Sequence, residues 1–143
     1  MSRRWHISFF ISGDEFAPSK LNIPFTESND PGDIAKTGRF KGKPRPYGSA
    51  WYVTPEHLNP SESFAHLLEV FESRLDDLRL VGATDWHISV NREYYAQCNE
   101  SFSREDLEMI LRLECGFDYS AFTITEEEEQ KIDQEDEGRN KED

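Results

Sequence analysis

The residues best equipped for chemistry lie in one short stretch. Lys36, Arg39, Lys41, Lys43 and Arg45 place five bases within ten residues, with no acid among them, in a chain of formal charge −13. Gly38, Gly42 and Pro44 space them, so the stretch from Lys36 to Arg45 reads as a flexible cationic loop. Guanidinium and ammonium groups at that density suit a phosphate, an RNA segment or an acidic protein surface. Phe40, Tyr47 and Trp51 stand close in sequence, and ring stacking or cation–π contact needs such neighbours. Arg39, Lys41, Lys43, Arg45 and Trp51 are therefore the candidates for holding a small ligand or nucleotide. The plainer reading is a solvated hairpin loop that docks, at most, the protein's own acidic tail.

A second candidate site is anionic. Glu62, Glu69, Glu72, Asp76 and Asp77 fall largely off the apolar stripe of a long helix, which turns them toward water. Together with the acidic C-terminus they form a surface suited to covering a basic active site or groove, as immunity proteins and nucleic-acid mimics do. Electrostatic steering speeds such association. The plainer reading is solubility. The overall charge disfavours generic binding to a phosphate backbone, so nucleic acid is expected only through the basic loop.

Signals for catalysis are weak. His6, His57, His66 and His87 have no metal-ligand spacing, and no metal or other cofactor is expected. Neither G-x-G-x-x-G nor G-x-x-x-x-G-K-[ST] occurs. Cys98 sits in a polar turn, Ala96-Gln97-Cys98-Asn99-Glu100, where acidic neighbours oppose thiolate formation, and Cys115 beside Gly116 is expected to be buried. The two form no C-x-x-C pair, so two ordinary thiols are expected rather than a disulfide. Carboxylates are plentiful but spread over helix faces and the tail, not paired across a cleft. These patterns assign no catalytic residue, and the expectation is a protein that is not an enzyme.

The elements that position these residues follow from periodicity. Trp5 to Ser12 alternates, with Trp5, Ile7, Phe9 and Ile11 on one face and His6, Ser8, Phe10 and Ser12 on the other, as a half-buried strand does. Ala17 to Leu21, with Pro18 early, suits a short helix. A strand around Ile34 to Phe40 and a second over Ser49 to Thr54 read as a hairpin joined by a loop over Lys41 to Tyr47. Asn59-Pro60-Ser61-Glu62 is an N-terminal cap for a helix whose apolar stripe is Phe64, Leu67, Leu68, Phe71, Leu75 and Leu78, ended by Gly82. Trp86, Ile88 and Val90 alternate with His87, Ser89 and Asn91 in another strand. Ser103-Arg104-Glu105-Asp106 caps a helix carrying Leu107, Ile110 and Leu111, and Phe117 to Ile124 makes the last strand.

The order is thus β-α-β-β-α-β-α-β. Strands with one apolar face and helices with one stripe predict a two-layer α+β fold, an antiparallel sheet of about five strands with helices on one face. The first six elements suit a ferredoxin-like core, with the face bearing His6, Phe10, His87, Ser89 and Asn91 left open. Residues 1–125 are expected to form a single domain. Residues 126–143 hold ten acids against three bases, a net −7 that leaves −6 on the body, and only Ile132 as a large apolar side chain. Disorder or a frayed helix is expected there. No apolar run approaches the ~20 residues of a membrane span, and the start of the chain carries no run long enough for a signal peptide, so a cytoplasmic location is expected.

Several strings together resemble a known family. The strand Ser8-Phe9-Phe10-Ile11-Ser12-Gly13-Asp14, the proline-led short helix, the basic turn Gly42-Lys43-Pro44-Arg45 before Ser49-Ala50-Trp51, the long helix and the closing helix-strand pair are similar to the bacterial family catalogued as domain of unknown function 4279. The likeness spans roughly residues 5 to 125. It implies a small stand-alone bacterial protein and brings no activity or functional residue with it, and the acidic tail lies outside it. The function expected first is a non-enzymatic protein-binding domain, an immunity-type inhibitor whose acidic surface meets a basic partner. The alternative is the small-ligand or nucleotide-binding domain built on the basic loop.

Overall fold

The computed structural model describes residues 5–128 together with residues 130, 131, 134 and 135. The rest of the acidic tail lies outside the described residues, and so does the basic start of the chain. Among the described residues a mixed α+β fold is built from β1 (Trp5–Gly13), β2 (Glu27–Asn29), β3 (Gly48–Val53), α1 (Pro60–Phe71), α2 (Leu75–Leu80), β4 (Asp85–Tyr94), α3 (Arg104–Arg112) and β5 (Phe117–Thr123). The strands lie in the order β2-β3-β1-β4-β5 in one open sheet.

The sheet is mixed rather than purely antiparallel. The three pairings among β2, β3, β1 and β4 are antiparallel, whereas β4 and β5 run parallel. The cause is α3, which occupies the connection from β4 to β5 and returns the chain to the end where β4 began, as a parallel pairing requires. The expected strand over Ile34 to Phe40 is also corrected. Its place beside β3 is taken by the three residues of β2, and Ile34 and Ala35 make only isolated bridges, to Pro44 and Lys41. Gly32, Gly38 and Gly42 all have positive φ there, so the chain turns repeatedly instead of extending.

The helices begin as their sequences dictate. Asn59 Oδ1 accepts from the Glu62 amide at 2.8 Å while the Glu62 carboxylate accepts from the Asn59 amide at 3.1 Å. Ser103 and Asp106 make the same reciprocal cap on α3. The long apolar stripe is not one helix, however, because Glu72–Arg74 tightens into a 3₁₀ turn that separates α1 from α2. The short first helix is likewise a single 3₁₀ turn, Pro18–Lys20.

The core fills the space between the helices and one sheet face. Ile7, Phe9 and Ile11 from β1 and Ile88 and Val90 from β4 meet Phe64, Leu67, Phe71, Leu78 and Leu113, all buried. Phe9 and Phe71 pack with ring centroids 4.5 Å apart, and Trp86 donates its indole N–H to the Leu113 carbonyl at 2.8 Å. At the opening of β3, a Cβ on Gly48 would lie 1.6 Å from the Phe16 carbonyl oxygen, so only glycine fits where these two segments touch. The opposite face of the sheet points away from this core. Its residues are Ser49, Trp51 and Val53 of β3, His6, Ser8, Phe10 and Ser12 of β1, and His87, Ser89 and Asn91 of β4, as the pairing register requires.

Candidate functional site

Register places the aromatic residues of the open face side by side. Phe10 on β1 stands opposite Trp51 on β3 and opposite His87 on β4, and Glu27 on β2 stands opposite Trp51. The Phe10 and Trp51 rings meet edge to face at 6.0 Å, and Phe10 lies 5.6 Å from the His87 ring. Trp51 is 43 % exposed, unusual for an indole on a central part of a sheet, and so offers free ring surface.

A pocket of about 200 Å³ opens beside this row, walled by Phe10, Trp51, Tyr47, Arg45, Asn29 and Glu27. A second hollow of about 430 Å³ shares Phe10 and Tyr47 and continues to Ser12, Asp14, Thr84 and Asp85. Together they form a groove over the end of the sheet where β1 finishes and β3 begins.

The basic loop is what brings Arg45 and Tyr47 to that groove. It is not the flexible excursion its composition predicts. Backbone bonds tie it internally: Gly32 N–H to the Arg45 carbonyl, Arg45 N–H to the Asp33 carbonyl and Gly42 N–H to the Ala35 carbonyl, each 2.8 Å, and Ala35 N–H to the Lys43 carbonyl at 3.0 Å. Ala35 is buried beneath them. Two acids beside the loop are already engaged, since Asp30 accepts from the Ser19 amide and hydroxyl and Asp33 accepts from the Asp30 amide, while a third, Glu27, lines the same pocket as Arg45. Arg39 lies 5.6 Å over the Phe40 ring, and Phe40 meets Tyr47 edge to face at 6.4 Å, so a cation and a second ring brace the Tyr47 wall.

Of the five bases, the structure brings Arg45 alone into the pocket. Its Nε is buried and has no hydrogen-bond partner. Arg45 as a whole is half-buried and lines the pocket, so its guanidinium brings a fixed positive charge and several N–H donors to that wall. Lys36, Arg39, Lys41 and Lys43 are exposed along the loop and form no ion pair among the described residues. The arrangement offers a charged donor, flat apolar walls and the Asn29 amide. It can hold a planar ring that carries an anionic group.

The acidic candidates are mostly occupied within the fold. Glu72 receives a two-pronged pair from Arg112, at 2.6 and 2.7 Å, Asp76 pairs with Arg79 at 2.9 Å, and Asp77 pairs with Arg74 at 2.8 Å. Glu62 closes the α1 cap. Glu69 alone is exposed with no partner among the described residues. Three arginines thus neutralise much of the surface, and the five acids do not converge.

The remaining ionisable groups form pairs rather than a reactive cluster. His6 lies 3.2 Å from Glu93, His87 lies 3.2 Å from Asp118, and His66 meets the Tyr52 hydroxyl at 2.7 Å. Among the described residues no three His, Cys, Asp or Glu side chains are grouped to hold a metal ion. Cys98 Sγ lies 3.3 Å from both a Glu100 carboxylate oxygen and the Tyr119 hydroxyl, and Arg92 Nε lies 2.8 Å from Glu100. Burial, the Cys98 hydrogen bond and the Glu100 charge, in that order, push the Tyr119 phenol above its ordinary range. Burial also pushes the Cys115 thiol up to about 11. No protein-family model, no curated protein and no solved structure matches the chain.

Arg45, Trp51, Tyr47 and the open position of Phe10 are legible in the sequence, whereas Glu27, Asn29, Asp14 and Asp85 are not. Those four enter only through strand register and the fold of the loop, which no local pattern carries. The Cys98, Glu100 and Tyr119 contact had no signal either, because 21 residues separate the thiol from the phenol.

Proposed function

We propose that this chain is a binding domain that holds a small planar ligand with an anionic group, a nucleotide being the leading class, in the pocket between the basic loop and the open sheet face. One observation carries the reading: Arg45, half-buried and in no ion pair among the described residues, lines a pocket walled by Phe10, Tyr47 and Trp51. Rings stack on exposed aromatics with little regard to sequence, at about 1–3 kcal/mol per base. A charge-assisted bond from the guanidinium fixes the anion. The exposed bases Lys36, Arg39, Lys41 and Lys43 raise the local anion concentration without touching the ligand.

A thermal-shift and calorimetric titration with nucleoside monophosphates tests this. Binding is expected for the wild-type chain, and Arg45→Ala is expected to weaken it at least about tenfold, the loss of one hydrogen bond to a charged group. Arg39→Ala should weaken it less, through the braced Tyr47 wall. Absence of a shift with every nucleotide at millimolar concentration contradicts the reading.

The lesser reading is a protein-binding, immunity-type domain whose acidic surface meets a basic partner. It draws support from Glu69, exposed and unpaired, and from the net charge of the chain. Strong salt dependence of a pull-down from the native host would favour it. We also infer a ferredoxin-like core for the first four strands, supported by their order β2-β3-β1-β4 and antiparallel pairings. A cytoplasmic location and membership of the family catalogued as domain of unknown function 4279 belong to the same proposal. No helix among the described residues is long and apolar enough to cross a membrane.

A further inference from the structure

The groove is chemically lopsided. At one end stands Arg45, half-buried and in no ion pair among the described residues, with Glu27 as the one acid in the same pocket wall. At the other, Asp14 and Asp85 line the continuing hollow, both exposed and both without a side-chain partner among the described residues. Ser12, two residues before Asp14, is the cross-strand partner of Asp85, so the turn after β1 and the start of β4 bring the two carboxylates to the same end of the sheet. Phe10 and Tyr47 belong to both halves and form the apolar waist between them. An occupant that satisfies the whole groove has an anion at one end, a flat ring at the waist and N–H donors at the other, because ionised carboxylates only accept.

Resting on the reading above, we propose that the occupant is a guanine mononucleotide. Its phosphate meets Arg45, its ring lies against Phe10 and Tyr47, and its base edge meets a carboxylate of Asp14 or Asp85. Guanine presents N1–H and an N2 amino group side by side, two parallel donors that fit the two oxygens of a carboxylate. Adenine offers a donor beside an acceptor, cytosine likewise, and uracil one donor between two acceptors, so each of them sets a lone pair against the carboxylate. A site built on such paired donors rejects analogues that lack them, since the polar groups are left unpaired. The same acids argue for a free nucleotide over a strand of nucleic acid. Asp85 and Glu93 of β4 and Asp118 of β5 occupy the open face beyond the aromatic row, so a run of phosphates crossing it would meet like charge repeatedly, whereas a single phosphate at Arg45 has Glu27 alone as an acid in its pocket wall.

Calorimetric titration of the full chain with GMP, IMP, AMP and UMP, repeated on Asp14→Asn, Asp85→Asn and the double variant, tests the proposal. GMP is expected to bind at least about tenfold more tightly than AMP or UMP. IMP, which keeps N1–H and lacks the amino group, should fall between them. The double variant should lose the preference for GMP while AMP binding holds or improves, as two negative charges are removed. Circular dichroism of each variant reports retained folding, which the exposed positions of both residues favour. Equal binding of the four nucleotides, or a GMP preference that survives the double variant, overturns this inference and leaves the nucleotide pocket standing. Binding of none of them overturns both.

Discussion

Deleting the same ring from the two faces of β1 and its helix partner should have very different consequences. Phe71 on α1 is fully buried, with the Phe9 ring at 4.5 Å, Tyr52 at 5.3 Å and Phe25 at 6.3 Å. Phe71→Ala removes that ring from a site held on one side by the sheet and on the other by its own helix, so the walls can close only partly. The expected cost is about 3–5 kcal/mol, the range for a buried phenylalanine. At about 2–4 °C per kcal/mol for a chain near this size, Tm should fall by roughly 6–20 °C. Phe10 sits half-buried on the open face, where its ring meets those of Trp51 and His87. Phe10→Ala is therefore expected to cost about 1 kcal/mol. Urea denaturation followed by circular dichroism measures both on the same scale. A Phe10→Ala cost equal to that of Phe71→Ala would refute the reasoning, because the sheet would then have two packed faces and no free one for a ligand.

Other outcomes follow from single features. Asn59→Ala removes one half of the α1 cap and should destabilise the chain by about 0.5–2 kcal/mol in the same denaturation assay. Gly48→Ala drives a methyl group into the Phe16 carbonyl and should cost more than the cap does, read as a lower urea midpoint. Glu72→Gln breaks an exposed pair with Arg112 and should cost under about 1 kcal/mol, shrinking further in high salt. The Cys115 thiol keeps its proton to about pH 11 when folded, whereas its ordinary value is 9.0. The unfolded chain thus releases that proton first as pH rises, and stability should decline between those two values, with less decline in Cys115→Ala. Alkylation of folded Cys115 should accelerate across the same window.

What the sequence made legible was local. The alternation of Trp5 to Ser12 marked the buried and open faces of β1 because side-chain period alone decides them. Asn59-Pro60-Ser61-Glu62 and Ser103 to Asp106 marked both long-helix starts because a cap is a contact within four residues. What stayed hidden was set at a distance. β2 is three residues without an apolar pattern, held by pairing with β3 rather than by propensity, and so the neighbouring Ile34 to Phe40 attracted the assignment. The parallel direction of β5 depends on where α3 delivers the chain, which periodicity does not encode. The stripe from Phe64 to Leu78 keeps helical spacing through the 3₁₀ turn at Glu72–Arg74, hiding the break.

The candidate site divides in the same way. Composition marked the basic loop and its aromatic neighbours, yet five similar bases could not be ranked by charge. Only the backbone bonds of the loop, which clamp Arg45 between Gly32 and Asp33, single it out. The acidic helix face stood out equally in sequence, and its bases Arg74, Arg79 and Arg112 were present to be counted. Arg112 comes from another helix, so its bond to Glu72 became visible only in the packing of α1 against α3.

Amide chemical-shift mapping with a titrated nucleoside monophosphate tests the central claim most directly. The largest shifts are expected at Phe10, Asn29, Arg45, Tyr47, Ser49 and Trp51, with the amides around Glu62, Glu69 and Glu72 unmoved. Shifts confined to the helix face, or none at saturating ligand, would contradict it.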